Sequence, residues 1–354
     1  MSIVPPVNNV DINQPAQFLE GKILNDGWII KSKIIPNQKS FGRNFSVSYL
    51  VEKDGKPAIL KALDFSIALL DTDPATALSN LLKTYDFEKE LLELCEGKRL
   101  SKIVNILSRG TIPALPGSII QVPYFILEYS EKDLRSQLDV DSRLDIAWLL
   151  RILHNVTVGL WQLHGQGVAL KNLRPENIMA FSKQLQKLSE LGNADRKGIS
   201  IPEREQFISH DPSYLTPEAI YGHEEKDWMY KSQSSDIYNL GNLIFFLFTQ
   251  TNVNTWLTFY LNESHRPGNW SGSHEGVLPY LIDAYDTTIL HFSAYIEDEK
   301  LRTELETTLR QLCHPDPKLR GHPKNLGMIG TELSVERYIS QFDRLAKQAE
   351  LGIL

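Results

Sequence analysis

The sequence predicts a bilobal α+β protein, with a small β-rich first lobe carrying one main helix and a larger, mainly helical second lobe. Three observations lead there. Runs of β-branched and apolar residues fill much of the chain up to Ser130. Long helical patterns replace them beyond that point, and strands first with helices afterwards indicate segregated layers. A chain of 354 residues, 42% hydrophobic and 23% charged, holds ample core for such a body and shows no fixed-period repeat or low-complexity tract.

Residues 1–22 read as a flexible N-terminal arm, because Pro5, Pro6, Asn8, Asn9 and Pro15 deny regular structure. Order is expected to begin near Trp28 within the first lobe, residues 23–130. There GWIIKSKII, SVSYLVEK and PAILKALDF read as strands, the last two joined by Asp54-Gly55, a strong hairpin signal. Residues 75–97 have helical composition, and FEKELLELCEGK predicts one face formed by Phe87, Leu91 and Leu94. IVNILSRG and QVPYFILEYS complete a small sheet.

The second lobe, residues 131–330, carries the helical patterns EKDLRSQL, RLDIAWLLRILHNVTVGLWQLH, SSDIYNLGNLIFFLFT and RTELETTLRQLC. Residues 331–354 predict a C-terminal amphipathic helix striped by Tyr338, Ile339, Phe342, Leu345 and Ala349. Such a stripe is more commonly packed on its own domain than reserved for a partner.

A net charge of −7 and a pI near 5.8 argue against nucleic acid as a partner, since phosphate neutralisation needs clustered Lys and Arg. Two cysteines, Cys95 and Cys313, give neither a disulfide framework nor a zinc spacing, and suit a reducing cytoplasm. The N-terminus, MSIVPPVNNVDINQPAQF, lacks the positive start and apolar run of a signal peptide. The most apolar stretch, Leu240–Phe248, is broken by Gly241 and Asn242 and falls far short of the roughly 20 residues that span a bilayer, so no membrane partner is expected.

The strongest chemical signal is LKNLRPENIM, residues 170–179, followed by KLSELGNA, residues 187–194. Here the sequence resembles the eukaryotic-type protein kinases, whose catalytic loop reads His-Arg-Asp-Leu-Lys-Pro-Glu-Asn and is followed by a metal-binding Asp-Phe-Gly. Asn177 and Glu190, thirteen residues apart, reproduce that spacing. By this resemblance Leu170, Lys171 and Asn172 stand for His-Arg-Asp, Arg174 for the loop lysine, and Glu190, Leu191 and Gly192 for Asp-Phe-Gly.

Other landmarks follow the family's order. Lys61 in PAILK resembles the strand lysine that holds nucleotide phosphates, with Glu90 as its acidic partner. A strand-ending lysine is ordinarily a solvated side chain, and Glu90 sits among other helix charges; position in the series is what singles them out. TPEAI, with Glu218, resembles the Ala-Pro-Glu element; Asp236 resembles the acid that props the catalytic loop; Arg320 resembles the base paired with Glu218. The resemblance spans about residues 28–325 and implies a bilobal protein-kinase fold, with ATP and Mg²⁺ as cofactors.

The implied nucleotide positions are Ser40, Gly42, Val47, Ile59, Lys61, Glu90, Glu128, Tyr129 and Met179; the implied metal ligands are Asn177 and Glu190; the implied catalytic set is Asn172, Arg174 and Lys61. Several depart from the family. Setting Val47 at the family's valine, fourteen residues before Lys61, leaves Gly42 as the one glycine of a loop that ordinarily has three. A competing register aligns SFGR with the family's Ser-Phe-Gly-Arg and lengthens the second strand. Ile59 replaces a small residue against adenine. Asn172 orients a hydroxyl but takes no proton, whereas Glu190 keeps the charge and adds one methylene. A register with Asp195 as the metal acid fits KLSELGNA less well.

The resemblance implies a protein-kinase-like chain, foremost a nucleotide-binding pseudokinase acting as a regulator or scaffold with a protein partner. The alternatives are a weakly active Ser/Thr protein kinase using Asn177 and Glu190 for Mg²⁺, and another ATP-dependent transfer such as nucleotidylation. Residues 193–214 match an activation segment bearing Ser200, Ser209 and Ser213, and the aromatic-rich stretch beginning at Asn254 departs furthest from the kinase pattern. The sequence carries no signal of oligomeric state.

Overall fold

Alternation with a period of two builds the first of two units in the chain. A computed structural model describes residues 14–35, 45–114, 117–138, 145–199 and 211–354. Of the described residues, the first unit takes those before Leu100 and Val104–Ser130, the second Leu100–Ile103 and those beyond Ser130. In the first, strands β1 (Ile29–Lys33), β2 (Ser46–Lys53), β3 (Lys56–Leu63), β4 (Ile106–Pro113) and β5 (Gln121–Glu128) form an antiparallel sheet in the order β1-β2-β3-β5-β4. Asp54 and Gly55, at φ 50° and 73°, make the tight β2–β3 turn, which needs two left-handed residues.

The sheet has two unlike faces. Ala58, Leu60 and Ala62 of β3 join Val122, Tyr124 and Ile126 of β5 in an apolar cluster with Ala16, Leu19, Leu24 and Trp28. Thus residues 14–22 are not a loose arm. Ala16 and Leu19 are fully buried, and Tyr49 ties this segment down by donating its hydroxyl to the Ala16 carbonyl at 2.7 Å. The prolines that deny helix and strand do not prevent packing; residues 1–13 lie outside the described residues. Ile59 and Lys61 occupy the opposite face.

Helix α1 (Ser66–Leu69) leads into the main helix α2 (Pro74–Gly97), capped by Asp73, which accepts the Thr76 amide at 3.2 Å, and begun by a proline whose missing N–H is no loss there. The buried face of α2 carries Leu81, Phe87, Leu91, Leu92 and Cys95. It is turned from the expected stripe, since Leu94 is only half-buried and Leu92 and Cys95 point inward.

In the second unit, β6 (Lys132–Asp133) is followed by α3 (Leu134–Leu138) and by α4 (Ile146–His164), which ends at the strand β7 (Val168–Ala169). The hairpin β8 (Ile178–Ser182) and β9 (Leu185–Leu188) pairs with β6, while β7 pairs with β10 (Asp195–Arg196). Helices α5 (Pro217–Ile220), α6 (Ser234–Thr249), α7 (Val253–Tyr260), α8 (His274–Phe292), α9 (Glu299–Leu312) and α10 (Glu336–Glu350) complete it. Helix α6 is buried around nearly its whole circumference, which explains its continuous apolar run. Gly241 allows α6 to approach α9, because a Cβ there would collide with Cys313 Sγ.

The C-terminal stripe packs on its own unit. Tyr338, Phe342, Leu345 and Ala346 of α10 are buried, and Arg151 of α4 pairs with Asp343 at 3.0 Å and Glu350 at 2.7 Å. Among the described residues, no helix is long and apolar enough to cross a membrane.

Candidate functional site

The loop after β7 is shaped by one buried carboxylate. Lys171 takes left-handed backbone, φ 57°, a conformation that an ordinary residue holds only when its neighbours impose it. Asp236, fully buried in the first turn of α6, supplies the restraint. Its Oδ2 accepts the Leu170 amide at 2.7 Å, its Oδ1 accepts the Lys171 amide at 2.7 Å, and His164 Nε2 lies 2.9 Å from Oδ2. Hydrogen bonds to an ionised acceptor are roughly twice as strong as neutral ones, so the backbone entering Asn172 is held firmly.

Asn172 is half-buried, and the chain then turns through Pro175–Asn177. Asn177, only 8% exposed, donates Nδ2 to the Asn172 carbonyl at 2.9 Å, which leaves Oδ1 as the oxygen its side chain has to offer. Its own carbonyl accepts both the amide and the hydroxyl of Ser189, each at 2.9 Å. The next residue is Glu190, left-handed at φ 60° and ψ 56°. Asn172, Asn177 and Glu190 are therefore joined through one buried asparagine and one serine. Leu191 behind them is 1% exposed.

Arg174 takes another direction. Its guanidinium lies 4.9 Å from the centre of the Tyr214 ring, Nη1 is 4.0 Å from Asp211 Oδ2, and Nε is buried without a hydrogen-bond partner. Met179 is half-buried on β8, opposite Lys187 and Asp133. Downstream, Glu218 and Arg320 form a two-bonded buried pair at 2.7 and 2.6 Å, with Arg320 Nε also donating to the His314 carbonyl at 2.7 Å. Burial opposes ionisation of Glu218, but the Arg320 charge and hydrogen bonds override it and hold the carboxyl below its ordinary range.

In the first unit, Lys61 and Ile59 of β3 sit opposite Phe125 and Leu127 of β5, and directly opposed residues share a face. Phe125 stacks on Tyr85 of α2, with centroids 5.6 Å apart. Glu88, one helical step beyond Tyr85, is half-buried, whereas Glu90 is exposed. The helix thus turns Glu88, not Glu90, with the face that meets the sheet. Glu128 accepts the Asn105 amide at 2.8 Å, and Tyr129 follows, half-buried.

Val47 does not share the Lys61 face. It is 6% exposed, opposes Ala62 and belongs to the apolar cluster on the other side; the residue opposite Lys61 is Ser48. Strand phase, invisible when positions are counted back from Lys61, overturns that assignment. Ser40, Gly42 and the alternative SFGR register lie outside the described residues, as do Ser200 and Ser209. Asp195 pairs with Ala169, and its Oδ2 accepts the Ser232 hydroxyl.

The sheet N-lobe, the helical C-lobe and the Asp236-bound loop define a kinase domain, and comparison with known families agrees. The protein kinase domain model matches residues 83–326, more than half of the chain, and the chain belongs to that family. It is similar to an Aurora kinase of Debaryomyces hansenii, 29% identical over 123 residues that cover 34% of this chain and 28% of that protein. It is also similar to human receptor-interacting serine/threonine-protein kinase 1, 26% identical over 163 residues, 42% of this chain and 24% of that one. A third relative is the 3-phosphoinositide-dependent protein kinase B of Dictyostelium discoideum, 28% identical over 171 residues, 45% of this chain and 18% of that one. The chain spans less than a third of the length of these relatives.

Proposed function

We propose that this chain is a nucleotide-binding pseudokinase that regulates or scaffolds a protein partner. The observation that carries the reading is Asn172, which follows a loop backbone held by Asp236 and stands where the family has its proton acceptor. The frame is intact while the base is replaced by an amide, which has no basic carboxylate. Loss of general-base help is worth about 10² to 10⁴ in rate. The phosphate-binding residue on this reading is Lys61, and its acidic partner, because of the helix phase, is Glu88 in place of Glu90.

The oxygen donors Asn177 Oδ1 and the Glu190 carboxylate suit a hard cation. Mg²⁺ held there would neutralise charge on the nucleotide phosphates. The chain's own residues then position rather than react: Asn172 orients a hydroxyl, Asn177 links the Asn172 carbonyl to the Ser189–Glu190 turn, and Arg174, beside Asp211 and Tyr214, steadies the turn Pro212–Tyr214. Two buried free thiols, with burial pushing Cys95 up to about 12, suit a reducing cytoplasm.

A slow Ser/Thr protein kinase is the second reading, favoured by the left-handed Glu190 beside the Asn177–Ser189 link. A thermal-shift titration with ATP, with and without Mg²⁺, paired with a radiolabelled transfer assay separates the two. Stabilisation by nucleotide with negligible transfer is expected. Robust transfer that disappears in Lys61→Ala sinks the pseudokinase reading, and no shift at high nucleotide sinks both.

A further inference from the structure

Just beyond the Glu218 motif, two histidines and a glutamate converge. His223 follows the turn after α5, where Gly222 takes φ 71° and the His223 amide donates to the Glu218 carbonyl at 2.8 Å. His274 and Glu275 open α8, whose cap Ser273 accepts the Gly276 amide at 3.3 Å. Both pieces of backbone are thus fixed by hydrogen bonds outside the cluster. His274 and Glu275 lie in the aromatic-rich stretch that departs furthest from the kinase pattern.

The side chains meet closely. His223 Nδ1 is 3.2 Å from Glu275 Oε1, and the two imidazole centroids are 5.5 Å apart. One ring nitrogen from each histidine and one Glu275 oxygen all lie within 4.8 Å of one another. Tetrahedral zinc with bonds of about 2.0–2.1 Å separates its ligand atoms by about 3.3 Å, close to the His223–Glu275 spacing. On its other side, His223 Nε2 lies 4.0 Å from Glu225, too far for a hydrogen bond but near enough to add negative charge beside the cluster.

A second observation points to a ligand. His274 is 5% exposed, and its Nε2 is buried without a hydrogen-bond partner. Buried polar atoms are nearly always satisfied, and a His223–Glu275 ion pair alone leaves this nitrogen orphaned. Coordination through it would satisfy it.

We propose that His223, His274 and Glu275 form a divalent-metal site, with Zn²⁺ as its ion and water completing the tetrahedron. Two neutral imidazoles and one carboxylate are a zinc-type donor set, whereas Mg²⁺ and Ca²⁺ favour oxygen alone. The ion would clip the turn after α5 to the start of α8, and because Glu218 both accepts the His223 amide and bonds Arg320, it would brace the buried pair as well. This role is structural and independent of phosphoryl transfer.

The test is titration of the chelator-stripped full chain with ZnCl₂, read by calorimetry and thermal shift, and with CoCl₂, read by the visible bands of tetrahedral cobalt. The expected result is one tight site per chain, a raised thermal midpoint and tetrahedral cobalt bands. His223→Gln and Glu275→Gln, at half-buried and exposed positions that leave the core intact, should abolish the bands. Near-UV circular dichroism confirms that each variant is folded. No stoichiometric binding by the wild type, or binding unchanged in folded His223→Gln and Glu275→Gln, overturns the proposal.

Discussion

Two regions of the helical unit, the frame around the catalytic-type loop and the reactive positions on it, have been treated very differently. In the frame, Asp236 holds two amides and meets His164, and Arg320 holds Glu218 through both guanidinium nitrogens. On the loop, Asn172 and Glu190 stand, on the proposed reading, where the family carries two aspartates. Each frame residue satisfies several buried groups, so replacing any one orphans the rest. Anchors of this kind are chosen by burial, whatever chemistry the loop performs.

Breaking the frame should therefore cost stability more than any change on the loop. Arg320→Met leaves Glu218 buried and unpaired, and chemical denaturation should show a loss of about 3–5 kcal/mol. A loss below 1 kcal/mol would mean that water reaches Glu218 and that the pair is not the anchor described.

The loop should respond in rate instead. If only the base is missing, Asn172→Asp should raise phosphate transfer by about 10² to 10⁴ with stability nearly unchanged. A single-turnover assay with Mg²⁺ reads it. No gain would place the defect at Glu190 or in nucleotide binding, and the double variant with Glu190→Asp would then separate those two.

Asp236→Asn probes the junction of frame and loop. The amide retains an acceptor but turns a donor toward donors, and removing a charged acceptor costs about 1.5–3 kcal/mol for such hydrogen bonds. Hydrogen exchange at the Leu170 and Lys171 amides should accelerate with it. Unchanged exchange would show that Lys171 holds its left-handed backbone unaided.

Much of this was legible in the sequence, and what was not depends on how elements rotate and pack. Asp54-Gly55, the α6 apolar run and the loop spacing between Asn177 and Glu190 all announce themselves locally. Val47 and Glu90 do not, because each depends on which way an element is rotated, and neither does the N-terminal segment, because prolines that deny helix and strand say nothing of packing. The burial of Leu92 and Cys95 turns α2 so that Glu88 replaces Glu90, and the cluster around Ala16 and Leu19 claims Val47. A one-residue slip in a strand, or two in a helix, changes the face entirely. Asp211 and Tyr214, which flank Arg174, carry no pattern that a linear reading could find. Helix phase has a measurable consequence: Glu88→Gln should weaken ATP binding, measured by thermal shift, several-fold more than Glu90→Gln, and the reverse order would return the role to Glu90.

The smallest effect separates frame from surroundings by pH. Burial lowers the pKa of His154 and His314 below the ordinary 6.5, although the Ile339 carbonyl on His154 and the Asp316 backbone on His314 work the other way. Each therefore binds a proton more readily in the unfolded chain. Stability is full above pH 6.5, erodes as the pH falls below it and levels once the folded forms protonate as well. Glu218, held below 4.5 by Arg320, adds a separate loss only beneath that value. The thermal midpoint should thus fall in two stages on acidification, with the first reduced in a His154→Gln, His314→Gln variant and the second untouched by it. A single acid transition, unaltered in that variant, would mean that the histidines are hydrated and that the carboxylate frame alone governs acid stability.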